Sequence, residues 1–266
     1  MANTISPLAF VHPSAVLGDN VIIDAFAYID ANVTIGNNCH IMSHCSLIGG
    51  TSLGKNNKIY DGCVIGADPQ DFRWKGEHGL CRIGDNNHIY QHTIINRSIR
   101  EGSATAVGNN SYIMAQSHIG HDSQIGNYCV LGNGVKVAGD CKISNYTVLS
   151  SGVIVHEKCE IGEWVLIKGG CRVTGNVPPF LIMAHNPISY FGVNSYILRK
   201  GKKSDAIIDD IAKAYRHIYQ TGTSIFNALL RIENDVEESP ERNEILRYIR
   251  EHNNKIAGLP LESKNI

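Results

Sequence analysis

No stretch of this 266-residue chain is apolar for more than a few residues, which excludes a helix of the ~20 apolar residues that a bilayer core requires. Aromatic side chains are scarce, at 7%, so a core built around large rings is not expected. Neither sign of charge predominates: 24 Lys and Arg stand against 25 Asp and Glu. A nucleic-acid-binding surface would need a basic excess, so no nucleic-acid partner is expected. The first ten residues, MANTISPLAF, lack a basic segment followed by an apolar one; export is not expected, and the chain reads as cytoplasmic with no transmembrane segment.

What the chain does have is glycine, 26 residues, and cysteine, eight. Eight cysteines in a reducing compartment raise the question of a metal or redox site, and their positions answer it. They fall at 39, 45, 63, 81, 129, 141, 159 and 171, and each of these numbers leaves remainder 3 on division by six. Phase-locking of this kind is a repeat signal, not a ligand set. Positions of remainder 5 reinforce it: of the 29 from Ile5 to Val173, 26 are Ile, Leu or Val, the exceptions being Asp71, Glu77 and Glu101. Those three residue types make up 66 of 266 overall, so chance would place only about seven there.

The unit reads aliphatic, often Gly, two polar residues, a small residue and a variable one, as in IGNNCH, LGKNNK, IGDNNH, VGNNSY and IGNYCV. A period of six suits short strands separated by tight turns. Three hexads closing a triangular coil stack aliphatic on aliphatic, with coils about 4.8 Å apart. The spacing therefore predicts a mainly β, parallel β-helix of hexapeptide repeats, with the cysteines as reduced corner-fillers. Two segments break the pattern and return in phase, near 68–80 (DPQDFRWKGEHGL within it) and 97–106 (RSIREGSATA); both read as external loops. Pro178-Pro179 is expected to stop the coil. A first domain over 1–190 is followed by a C-terminal α-helical domain over 191–266. Its helices are expected from Ser204 to Tyr219, with Ile207, Ile208, Ile211, Tyr215 and Ile218 as apolar face, from Thr223 or Ser224 through Leu229, Leu230 and Ile232, and from Pro240.

His118 and His121, three residues apart in MAQSHIGHD, stand at hexad offsets that direct side chains out of the prism. Histidine suits proton transfer near neutral pH. A pool of His88, His92, His118 and His121 also leaves open a zinc-dependent hydratase of the carbonic-anhydrase type on the same fold.

The hexads, Pro69-Gln70-Asp71, MAQSHIGHD, GGCRVTGNVPPF (169–180), FGVN (191–194) and the helical tail together resemble the acyl-(acyl-carrier-protein)–UDP-N-acetylglucosamine O-acyltransferases, over essentially the whole chain. The resemblance implies a left-handed coil and a homotrimer with its active site between adjacent prisms. It further implies transfer of a 3-hydroxyacyl chain from acyl carrier protein to the 3-hydroxyl of UDP-N-acetylglucosamine, the first step of lipid A biosynthesis. No cofactor is implied beyond the phosphopantetheine thioester of the donor, and no metal. By resemblance, His121 is the general base. His118 and Asp71 hold the sugar, and Gln70 and Arg73 lie near sugar and phosphates, Arg73 standing where many relatives have Lys. The Gly139 N–H is the expected oxyanion donor, and His156 lies on the nucleotide or acyl side. Asn194 and Lys200 align with the uridine and phosphate region, and Gly169 with the position that limits acyl length. Asp122 either orients an imidazole or points along its turn. Lys168, Arg172, Arg199, Lys200, Lys202 and Lys203 are candidates to receive the acidic carrier protein.

The chain departs from the family pattern at Asp140, where some relatives have His, at Glu157, where many have Gln, at Tyr196, and in LRKGKKS (198–204). These departures leave a second acceptor open: another UDP-amino sugar, acylated at oxygen or at nitrogen.

Overall fold

The computed structural model describes residues 2–252 and 255–259. Up to Val173 the chain winds through strands of two to four residues, and each strand pairs in parallel with the one a full turn of the coil later. Three sheets of eleven, nine and eight strands result, and they form the faces of a triangular prism. The first face opens with Thr4–Ile5, the second with Phe10–Val11 and the third with Val16–Leu17. Within each two-residue strand the second side chain points to the axis. Ile113 pairs with Leu131, and Leu131 with Leu149; all three are fully buried. A single aliphatic side chain per face per coil fills this narrow interior, which is why rings are so few.

The turns explain the two polar residues of each hexad. The second turn residue lies in the left-handed region again and again: Asn20 at φ 56°, Asn38 at 59°, Asn56 at 57°, Asn86 at 58°, with glycines at 50, 62, 134, 152 and 170. Asparagine and glycine tolerate that conformation best. The asparagines add a ladder of side-chain hydrogen bonds, Asn20 to Asn38 at 3.1 Å, Asn38 to Asn56 at 3.1 Å and Asn56 to Asn86 at 2.9 Å. Just after this turn residue sits the small corner position. All eight cysteines are reduced and buried, seven of them there and Cys81 in strand Leu80–Ile83, level with Thr51, and several thiols donate to a carbonyl of the next coil: Cys63 to Tyr90 at 3.0 Å, Cys129 to Ser144 at 3.2 Å, Cys141 to His156 at 3.0 Å.

Coil-to-coil pairing normally advances by three hexads, as from Ile113 to Leu131, but Ile65 pairs with Ile95 and Ile95 with Ile119. The first insertion is thus two hexads long and the second a single hexad, so the phase survives both. Both leave from the corner between the second and third faces. The first follows Val64–Ala67 and ends at Leu80–Ile83; the second lies between Ile94–Asn96 and Ala104–Val107, so that strand resumes inside the segment expected to be loop.

The double proline bends the chain without ending the first face, contrary to expectation. Val177 still bridges Ile161, Leu181–Ala184 then pairs in parallel with Leu166–Ile167, and Ser189–Val193 returns antiparallel. The prolines sit in the crossing, and the N–H groups that pair belong to residues on either side. Four helices follow: α1 (Ser195–Lys200), which the sequence reading lacks, α2 (Asp205–Tyr219), α3 (Ile225–Asp235) and α4 (Pro240–His252). Ser204 and Ser224 cap α2 and α3 through their side chains. In α3 the buried residues are Ala228 and Ile232, whereas Leu230 is largely exposed. Two tyrosines dock the helices on the prism: Tyr215 donates to the Pro179 carbonyl at 2.7 Å and Tyr248 to that of Glu160 at 2.8 Å.

Burial pushes the Cys81 and Cys141 thiols up to about 12 and that of Cys129 up to about 11. Thiolate, not thiol, reacts with alkylating agents. Native protein at pH 8 is therefore expected to take up iodoacetamide only as it unfolds, eight equivalents being reached in denaturant; rapid labelling of folded protein, read by mass spectrometry, would contradict corner burial.

Candidate active site

Because coils stack in register, the turn residues of one corner form columns. His121-Asp122, Gly139-Asp140 and Glu157-Lys158 stand one below another at the corner between the second and third faces: Asp140 N–H donates to the His121 carbonyl and Lys158 N–H to that of Gly139. The two loops leave from the same corner in the preceding coils. They fold over the column and bury His121 to 6% exposure, although its offset alone would have left it on the surface.

Each loop delivers a carboxylate, or the groups that hold one, to the imidazole. His121 Nδ1 is 2.8 Å from Asp122 Oδ2, and His121 Nε2 is 3.2 Å from Asp71 Oδ2. Asp122 takes a left-handed turn conformation, φ 60°, and its carboxylate tucks under the 97–103 loop instead of running along the turn. There it accepts hydrogen bonds from Ser98 Oγ and from the Ile99 N–H at 3.2 Å, and its own N–H donates to Thr105 Oγ1 at 2.7 Å. Burial pushes the Asp122 carboxyl up, but the bonds from Ser98, His121 and Ile99, with the Arg100 charge, outweigh it and hold the group below the ordinary carboxylate value. An ionised Asp122 only accepts, so Nδ1 carries a proton; Asp71, also ionised, likewise offers Nε2 only acceptor oxygens.

Asp71 is gripped by Arg73, whose Nε lies 2.9 Å and Nη2 2.6 Å from its two oxygens. Hydrogen bonds from the Arg73 side chain and backbone hold the Asp71 carboxyl well below the usual range. Arg73 Nη2 also reaches Glu157 Oε1 at 2.9 Å. The first loop is thereby latched two coils down the column, and Glu157 is held below its ordinary value chiefly by that arginine.

A cavity of about 370 Å³ opens beside these groups, lined in part by Gln70, Asp71, His118, His121, Gly139 and Glu157. His118 stands on the second face in strand His118–Ile119, paired with Lys136. Burial first, then Lys136 and His121, holds its imidazole below the ordinary value, so it is uncharged at neutral pH and offers one donor and one acceptor. Gly139 packs so closely under His121 that a Cβ would collide with the ring; among the described residues nothing accepts from its N–H. Gly139 and His121 line the same cavity.

The other expected residues lie elsewhere on the protomer. His156 is exposed in the turn beside Glu157, outside the cavity lining. Gly169 sits at the corner between the first and second faces, a face-width from His121. Asn194 is buried, its amide donating to the Trp164 carbonyl at 3.0 Å, and Lys200 ends α1 with its ammonium over Tyr196. Lys203 is ion-paired with Glu241 and Arg199 with Asp205, so neither is a free basic group. Ser98, Arg100 and Asn96 were not singled out from sequence. Asn96 lines the cavity and donates to the Asp68 carbonyl at 2.6 Å, fixing the first loop. The only signal for them was their position in or beside an interruption of the repeat. Among the described residues no group of three or more His, Cys, Asp or Glu is placed to hold a metal ion; His88, for one, stacks on Tyr112 on the first face.

A model of bacterial transferase hexapeptide repeats matches residues 14–49, 32–67 and 104–139, and one of UDP-N-acetylglucosamine O-acyltransferase domain 2 matches 176–257. An acyl-(acyl-carrier-protein)–UDP-N-acetylglucosamine O-acyltransferase of Syntrophobacter fumaroxidans is 37% identical over 247 residues, 92% of this chain and 96% of that one. The chain belongs to this O-acyltransferase family. A second member, from Aliarcobacter butzleri, is 38% identical over 83% of this chain and 85% of its own. Among solved structures, the UDP-N-acetylglucosamine acyltransferase of Bacteroides fragilis superimposes with a TM-score of 0.93 at 42% identity, covering 97% of this chain and all of that one. That of Francisella novicida gives 0.93 at 34% identity, covering 98% and 96%. The O-acyltransferase coil is the left-handed parallel β-helix, here carrying its helical domain at the C-terminal end.

Two expectations follow for Asp122→Asn. Turnover should fall about 10²-fold or more, because the neutral amide no longer enforces the Nδ1–H tautomer. Stability should be lost in a pH-dependent way. A carboxyl lowered on folding stabilises the native state above its unfolded value of about 4, and that contribution fades as pH falls through the folded value. The gap between wild type and variant in urea unfolding should be full at pH 7 and close at acid pH; a gap independent of pH would rule the ionised contact out.

Proposed function

We propose that this chain transfers a 3-hydroxyacyl group from the thioester of acyl carrier protein to the 3-hydroxyl of UDP-N-acetylglucosamine, opening lipid A biosynthesis in the cytoplasm. The observation that carries the reading is the placement of His121: Nδ1 on Asp122 and Nε2 beside Asp71, at a cavity lined also by His118 and Gly139. Nε2 and Asp71 stand 3.2 Å apart on the cavity wall, so an acceptor hydroxyl that meets one meets the other. Nε2 takes the hydroxyl proton as the oxygen attacks the thioester carbonyl carbon; the Gly139 N–H supports the oxyanion of the tetrahedral intermediate; the carbon–sulfur bond then breaks and the proton passes from Nε2 to the departing thiolate. His118, uncharged, and Gln70 are placed to hydrogen-bond the sugar. The carrier's thioester is the only prosthetic chemistry this scheme requires of the donor.

Gly169 lies at the corner between the first and second faces, and Asn194, bound to Trp164, at that between the third and first with Lys200 beyond it; neither is the corner of His121. For them to meet one substrate, a neighbouring protomer must bring its own copies to the cleft, which supports a homotrimer. With Lys203 and Arg199 engaged internally, the carrier protein's acidic surface is left Lys168, Arg172, Lys200 and Lys202. No helix of the described chain is long and apolar enough to cross a membrane.

The acceptor is tested with purified protein, a set of hydroxyacyl carrier proteins of graded length and a panel of UDP-sugars, with products read by mass spectrometry. O-acylated UDP-N-acetylglucosamine is expected. Preference for another UDP-amino sugar, or an N-acyl product, would replace this acceptor by the alternative that the departure at Glu157 leaves open. His121→Ala should lose about 10³-fold in kcat/KM while light scattering still reports a trimer; substantial residual turnover would remove His121 from the role of base.

A further inference from the structure

The contacts that hold His121 do not end at Asp122. One carboxylate oxygen of Asp122 takes the imidazole N–H; the other, Oδ1, lies 2.8 Å from Arg100 Nη1. The second amino group of the same guanidinium, Nη2, donates to Asp140 Oδ1 at 2.6 Å. Asp140 is in turn tied to His121 directly, its N–H donating to the histidine's carbonyl at 2.9 Å. Its other oxygen is buried and has no hydrogen-bond partner, so the charge of Asp140 is balanced by Arg100 alone among the described residues. Imidazole, carboxylate, guanidinium and carboxylate thus form one closed circuit around the turn.

Orientation of Asp122 is already secured by Ser98 and the Ile99 N–H. What the guanidinium adds is charge, applied to the far oxygen of the carboxylate that faces the base. We propose that Arg100, balanced by Asp140, is a positioning residue for acyl transfer that sets how strongly Asp122 holds a proton on His121. This rests on the reading of His121 as general base. The other charged or titratable groups facing His121 are Asp71, bound to Arg73 and through it to Glu157, and His118 with Lys136 on the second face; none of them is altered in the variants below.

The signs are opposite for the two partners. Arg100→Gln removes the positive charge and leaves Asp140 unbalanced, so imidazolium is favoured and the titration midpoint of His121 rises. Asp140→Asn frees the guanidinium to act fully on Asp122, and the midpoint falls. Asparagine suits the left-handed turn at 140, φ 57°, so this variant keeps the fold. With Arg100 about half exposed, solvent limits each shift to about one pH unit.

The experiment titrates His121 by NMR of ring-labelled full-length protein and, in parallel, records the pH profile of kcat/KM with hydroxyacyl carrier protein and UDP-N-acetylglucosamine. Arg100→Gln is expected to raise the midpoint by about one unit and to lose about tenfold in kcat/KM below both midpoints, recovering above them. Arg100→Lys, which keeps charge, should leave the midpoint in place, and Arg100→Gln with Asp140→Asn should return it toward wild type. A uniform loss at every pH with no shift in Arg100→Gln means an anchoring role only and overturns the proposal, as does a shift of the same sign in both single variants. Should Arg100→Gln not fold, the downward shift in Asp140→Asn decides alone. If wild type fails to acylate this acceptor, the functional reading fails, yet the NMR titration still decides the role of Arg100.

Discussion

The constraint on which the whole molecule depends is that each coil must place one aliphatic side chain per face above its counterpart in the coil before. Insertions are tolerated where the chain leaves and re-enters at a corner, so that pairing resumes in register on both sides; Ile59, Ile89 and Ile113 still stack without a gap. The same constraint makes corners into columns. A side chain at a turn is automatically aligned with its counterparts one coil above and below, and polar groups distant in sequence come together with no long-range folding of the chain.

The site exploits this regularity by departing from it at a single corner. Left bare, the column of His121, Gly139 and Glu157 would be an exposed edge in water, where a histidine is a weak base and its hydrogen bonds are screened. The loops at 68–79 and 97–103 turn the edge into a partly enclosed cavity. One brings Asp71 to Nε2; the other locks Asp122 on Nδ1 through Ser98, Ile99 and Arg100. Positive and negative groups alternate through the cluster, Arg73 between Asp71 and Glu157 and Arg100 between Asp122 and Asp140, so that the carboxylates remain charged despite burial.

Much of this was legible from period alone. Remainder 5 marked the axis, remainder 3 the buried thiols, and the lapses at 71, 77 and 101 marked the loops. His118, His121 and Asp71 stood out because polar residues with chemistry had no structural duty in the hexad. Less legible was the meaning of the polar pair, since a left-handed turn residue is a backbone property that Asn, Tyr, Trp and Asp all satisfy here. The strand beyond Pro179 and the short helix α1 were missed because one lacks the hexad and the other is too brief to show helical period.

The sequence by itself determined the prism, since a six-residue period in aliphatic and small residues admits no other economical burial, and it singled out the imidazole proposed as general base. Only the tertiary structure decided which groups touch it. Asp122 had two possible directions, and Arg100 and Ser98 carried no periodic mark at all. Their contacts with His121 and Asp140 arise where an irregular loop folds back on a regular corner, and loop conformation is set by hydrogen bonds across coils that no local spacing encodes.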